Sequence, residues 1–184
     1  GDAWVYNNAQ VYGDAQVYDD ALVYDDALVY GDSKVHGDAR IYGKAQVYGD
    51  AQVYGDAWVS AYAKVHGYAQ VYGSARIYGK AQVYGDAFVY DNAWVYNNAQ
   101  VYGDAWVSGA AKVCSDALVF KRNAIFWVPF VGNERGTLTV TSGTNGLVVT
   151  RGCFTGTKEE FLSDYAAKHN EKIQREYRLL IELA

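Results

Sequence analysis

From Val5 to Ile125 a Val or Ile stands at every sixth position without a slip, and a small residue, Ala or Ser, follows four places after nearly every one. The unit reads Val-Tyr-Gly-Asp-Ala-Gln and runs unaltered through Val47, Tyr48, Gly49, Asp50, Ala51 and Gln52. Neither the helical period of about 3.6 nor the plain strand period of 2 accounts for a repeat of six. A strand of about three residues followed by a tight turn does. In Ala45-Gln46-Val47, alternation sends Ala45 and Val47 to one side and Gln46 to the other. Gly49-Asp50 then turns the chain, because Gly accepts positive φ freely and Asp tolerates it. Repetition of this unit coils the chain with Val and Ala on the axis and Gln and Tyr outside.

An aliphatic residue with a small residue four places on, every six, resembles the hexapeptide repeat of left-handed β-helix proteins. The resemblance covers about two thirds of the chain. It implies a mainly β fold, a left-handed parallel β-helix of about six to seven triangular coils, each closing after three hexads. Tyr stands directly after the aliphatic residue where that family often has Gly. Two duplications agree with an 18-residue coil: residues 39–51 recur at 75–87, and 3–15 at 93–105. The duplication of Gly55–Ser60 at Gly103–Ser108 does not. Each buried Val contributes ~1.5–3 kcal/mol, enough in sum to hold such a coil against chain entropy. An axis filled by Val and Ala leaves no room for a ligand. Any small molecule is therefore expected on an outer face, in a groove between subunits or in the C-terminal part.

The hexad fails after Phe120, and Lys121-Arg122-Asn123 marks the boundary between a β-helix over 1–120 and an α+β cap over 121–184. Ile125–Val131, Thr137–Thr141 and Leu147–Thr150 read as antiparallel strands between Gly-rich turns. Thr157-Lys158-Glu159-Glu160 reads as a capping box opening a helix, and a second helix carries Ile173, Tyr177, Leu180 and Ile181. The run Val149 to Thr157, followed by Glu-Glu-Phe, resembles the C-terminal domain of uncharacterised bacterial and prophage hexapeptide-repeat proteins often labelled putative transferases. The physical role expected here is closure of an open coil whose strand edges otherwise invite stacking. A binding site around Trp127, Arg151, Cys153 and Phe154 is a further expectation.

At 18-residue spacing one outward column reads Trp4, Leu22, Arg40, Trp58, Arg76, Trp94, Lys112. Trp and cations along one face are close enough for cation–π contact, and Trp, Tyr and Arg are the enriched interface types. This face is the expected surface for a protein partner or self-association, with Trp4, Arg40, Trp58, Arg76, Trp94 and Lys112 as its binding residues. Tyr follows the aliphatic position in most repeats, which predicts Tyr rows along the helix. One corner column reads Asp14, Asp32, Asp50, Tyr68, Asp86, Asp104 and is read as turn chemistry rather than a calcium site.

Charge and composition narrow the classes. The net charge is -5, but the first 120 residues carry fourteen Asp against seven Lys or Arg. Such an acidic prism argues against nonspecific nucleic-acid binding. No stretch reaches the roughly 18 apolar residues of a membrane span. There is no Met, and Gly1 falls inside a repeat, so residues upstream are expected. Cys114 and Cys153 fit no zinc or redox spacing and read as ordinary thiols. Three His, at 36, 66 and 169, lie far apart in sequence, so neither a catalytic residue, a metal nor a cofactor is assigned. The reading is a non-catalytic scaffold of bacterial or phage origin in the cytoplasm of the host cell. The alternatives are a hexapeptide-type acyltransferase whose catalytic parts lie upstream or form in a trimer, and a phage inhibitor of host defence or sponge for a nucleotide signal. The uncovered first coil is a second route to association.

Overall fold

The computed structural model describes residues 1–184. Two-residue strands recur at nearly every hexad, and each pairs in parallel with the strand eighteen residues on: Trp4 with Leu22, Gln46 with Lys64, Gln70 with Phe88. Three hexads therefore make one coil, and about six stacked coils build three parallel sheets. The first sheet runs from Trp4–Val5 to Lys112–Val113, the second from Gln10–Gly13 to Ala117–Val119, and the third from Gln16–Val17 to Trp106–Val107. Each coil donates backbone hydrogen bonds to the next, as Gln46 N does to Ala63 O at 2.9 Å. The 48-residue duplication carries one sequence between faces, since Trp58 lies in the first sheet and Trp106 in the third.

The turns explain the Gly. Gly67 has φ +68, and a Cβ there would stand 3.0 Å from the Gly85 nitrogen on the next coil. Only Gly enters this conformation without a steric penalty. Asp and Asn replace it at Asp19, Asp25, Asp91 and Asn97, all at positive φ. Asp91 Oδ2 also accepts from Gly109 N one coil on, at 3.1 Å. Ala61 takes φ +58 with no polar side chain to compensate.

From Ala21 to Val119 every inward aliphatic and Ala side chain is fully inaccessible and belongs to one continuous core. Ser33 replaces Ala on the axis and bonds its hydroxyl to Tyr30 O at 3.0 Å. Val5, Val11 and Val17 of the first coil are only partly covered.

The second sheet continues into the C-terminal region. Ala117 and Leu118 pair antiparallel with Gly143 and Ser142. Strands Ile125–Val131, Gly136–Gly143 and Gly146–Arg151 follow, and a fourth, Phe154–Thr157, completes the meander after a turn at Gly152-Cys153. Trp127, Thr139, Thr150 and Thr155 align across these strands on the side facing the solenoid. Thr139 Oγ1 accepts from Lys112 N at 3.0 Å, and Cys114 Sγ lies 3.3 Å from Thr150 Oγ1 and 3.2 Å from Thr155 Oγ1. Val128, Leu138, Arg151 and Phe154 align on the other side. There a second core gathers around Leu138, Val149, Phe161 and Tyr177. The capping box forms as expected: Glu160 N donates to Thr157 Oγ1 at 3.2 Å and Thr157 N to Glu160 Oε2 at 2.8 Å. The helix then widens, with Ala166 N bonding Phe161 O, before Asn170 caps the final helix Glu171–Leu183.

Candidate functional site

With Val and Ala on the axis, the outward strand positions carry whatever chemistry the solenoid offers. On the first sheet the column Trp4, Leu22, Arg40, Trp58, Arg76, Trp94 and Lys112 stands in unbroken parallel register. Neighbouring side chains contact along the axis. The Arg40 guanidinium lies 5.2 Å from the Trp58 ring, that of Arg76 lies 4.7 Å from Trp58 and 5.3 Å from Trp94, and Lys112 Nζ lies 5.1 Å from Trp94. These cations sit over rings and not beside carboxylates. The chain's ion pairs are His36 with Asp19 and Arg151 with Glu134, neither of them on this face. Arg40 and Arg76 are exposed and Trp58 and Trp94 half-buried, so the ladder is a partly dehydrated surface with free positive charge between its rings.

The Tyr rows form stacked columns. Tyr24 and Tyr42 lie 5.1 Å apart with near-parallel rings, and Tyr54 and Tyr72 lie 4.9 Å apart. His36 and His66 take Tyr positions and stack in the same way, His36 between Tyr18 and Tyr54 and His66 between Tyr48 and Tyr84. Partial burial, then nearby Lys64, holds the His66 imidazole below its ordinary range. Burial raises the phenols of Tyr24, Tyr30, Tyr48, Tyr54, Tyr72 and Tyr84. Burial and then the Cys114 side chain raise Tyr96 strongly. In the column beside the Trp face, Ser60 interrupts the rings between Tyr42 and Tyr78. Sequence reasoning passed over this break, although it is visible once residues are sorted by coil.

The C-terminal residues do not share one surface. Trp127 packs against the end of the solenoid core, where its ring fills the space beside Gly109. Arg151 is 2% exposed on the opposite side of the sheet, with Nη2 donating to Val131 O at 2.7 Å and Nη1 3.7 Å from Glu134. Phe154 packs on Phe161 and Tyr165, while Cys153 is exposed at the turn. Strand alternation places Trp127 on one side of the sheet and Arg151 and Phe154 on the other. On the third face Arg122 lies 4.0 Å over Trp106, a contact missed because Arg122 falls beyond the last full hexad.

No helix is long and apolar enough to cross a membrane. No curated protein and no solved structure gave a match. Among protein families, the YdcK beta solenoid repeat matches residues 15–31, 45–60, 51–67, 69–85, 81–97 and 99–115. The matched segments fall within the three-sheet coil stack. Together with the 18-residue register, they make this chain a β-solenoid repeat protein, a structural repeat scaffold similar to the YdcK repeat.

Proposed function

We propose that the solenoid is a non-catalytic scaffold, of the bacterial or phage kind that the C-terminal resemblance implies, and that it binds a protein partner or a second copy of itself through the Trp and cation face. The observation carrying this reading is the ladder Arg40, Trp58, Arg76, Trp94, Lys112, in which each cation lies over a ring and none is neutralised by a carboxylate. Such a surface has already lost much of its side-chain freedom, so ordering it against a partner costs little. Large amphipathic rings and Arg are also the residue types that dominate interface energetics. The interior supports no enzymatic alternative, because its small side chains fill the axis.

Solution mass, measured by light scattering over a range of protein concentrations with and without acetyl-CoA, tests the reading. The expected result is association that ignores acetyl-CoA and is lost in Trp58→Ala/Trp94→Ala, with the circular dichroism of the coil retained. A trimer that binds acetyl-CoA overturns the reading in favour of a transferase. Association unchanged in the double variant removes this face.

A further inference from the structure

One Tyr column lacks a ring at a single interior step. It runs Tyr6, Tyr24, Tyr42, Ser60, Tyr78, Tyr96, with stacked neighbours 5.0 to 5.1 Å apart on either side of the serine. Tyr42 and Tyr78 therefore face each other across two coil steps. An open groove of about 280 Å³ lies at this step, lined by Tyr42, Trp58, Ser60, Arg76, Tyr78 and Trp94 together with backbone neighbours, and Ser60 itself is 9% exposed. Small-molecule sites run from about 300 Å³ upward, so this volume suits a single ring system. The other columns have no such gap: where Tyr is replaced inside them, His36 and His66 keep the stack closed.

A second observation concerns charge. The solenoid is acidic, yet four of its seven Lys or Arg lie on the coils directly flanking Ser60. Arg40 and Arg76 stand either side of Trp58 in register. Lys44 and Lys80 occupy the corner on the coils before and after Tyr62, and Lys44 Nζ lies 5.6 Å from the Tyr62 ring. The same corner carries Asp26, Asn98 and Asp116 further along. None of the four cations is paired with a carboxylate.

We propose that the Ser60 gap binds one planar aromatic ring bearing an anionic group, the chemistry of a nucleotide. The ring completes the column, stacking between Tyr42 and Tyr78 at the spacing the other rings already keep. The anionic group meets Arg76, the one cation in the lining, where the neighbouring Trp rings exclude part of the water that otherwise screens it. This site stands whether or not the surrounding face also binds protein.

The test is a calorimetric titration of adenosine monophosphate into the full chain, followed in parallel by Trp fluorescence, with adenosine and inorganic phosphate as separate ligands. The expected result is saturable one-to-one binding of the monophosphate, weaker binding of adenosine and weakest binding of phosphate. Ser60→Tyr supplies the missing ring from within and lowers affinity by more than about tenfold. Arg76→Gln lowers affinity for the monophosphate by a larger factor than it lowers affinity for adenosine. Amide shifts in the unmodified chain confined to residues around Ser60 and Ala61 support the site without any variant. Equal binding of adenosine and the monophosphate overturns the anionic part. Absence of binding at millimolar monophosphate, or equal binding by Ser60→Tyr, overturns the site.

Discussion

Ile77→Ala tests the claim that the axis is closed by its own side chains. Ile77 is fully inaccessible and stands in register between Val59 and Val95. Removing three carbons forfeits ~0.8 kcal/mol each, or about 2.4 kcal/mol of transfer free energy. The void adds to this, because the coils cannot close over it. Ser60 N to Ile77 O at 2.9 Å and Tyr78 N to Val95 O at 3.0 Å hold the spacing on both sides. The expected loss is about 3–4 kcal/mol, within the range found for large-to-small core changes. Ile77→Val removes one carbon and is expected to cost about 1 kcal/mol. Urea unfolding followed by far-ultraviolet circular dichroism reads both, as a lower midpoint at unchanged slope. In a chain of this size the larger loss corresponds to a melting temperature lower by about 10 °C. A loss below about 1 kcal/mol for Ile77→Ala, or equal effects of the two variants, would mean that the axis is loosely packed or hollow and would refute the reasoning.

Stability is expected to fall steeply in alkali. Burial raises the stacked phenols, so the folded chain favours their neutral form; their contribution is complete below the unfolded value near pH 10 and is lost as pH rises past it through the folded values, which phenolate absorbance and circular dichroism recorded together should show as coincident transitions. Gly67→Val is expected to destabilise by ~2 kcal/mol or more, since it combines positive φ with a backbone contact at 3.0 Å that cannot yield, and a thermal melt unchanged from the parent would contradict the turn geometry. Arg151→Ala is expected to cost about 3 kcal/mol, because it leaves a cavity where a fully covered side chain stood, and Arg151→Met less, because methionine refills the space; chemical denaturation of the C-terminal region, read through near-ultraviolet signals, ranks the two.

The coil was legible because one period is enforced at every turn by the same two constraints, an inward aliphatic and a residue that tolerates positive φ. The closing length of 18 residues is a property of three faces meeting, and no single hexad contains it. The face of Trp58, Arg76 and Trp94 followed once that length was assumed. The gap at Ser60 was equally available from the column, but a serine in a turn-rich repeat attracts no notice until its neighbours are known to be stacked rings. The strand Phe154–Thr157 escaped because four residues interrupted by Gly156 show no alternation of their own; pairing with Gly146–Arg151 creates it. In sequence Arg151 reads as a binding residue, since Arg is mostly exposed. What buries it is the carbonyl of Val131, twenty residues away in sequence.

If the face binds as proposed, the distribution of charge gives it selectivity. Asp concentrates at the corners, where turn geometry favours it and where Asp25 and Asp91 accept from the backbone of the next coil at 3.3 and 3.1 Å. The strand positions between corners carry Gln, aromatic rings and five of the solenoid's seven cations. Acidic residues therefore recur along the edges of the faces, and Lys44 and Lys80 interrupt them in a corner column that elsewhere carries Asp26, Asn98 and Asp116. A partner that docks along the Trp ladder meets the same contrast: Arg and Lys held over rings in the centre, carboxylates at the margins. Like-charge repulsion at the margins rejects strongly acidic surfaces of the wrong shape, and the rings reject surfaces too polar to cover them. The repeat thus does more than extend a rod. By fixing each side chain eighteen residues from its neighbour in space, it turns a change at one position of one hexad into a local feature on a uniform background.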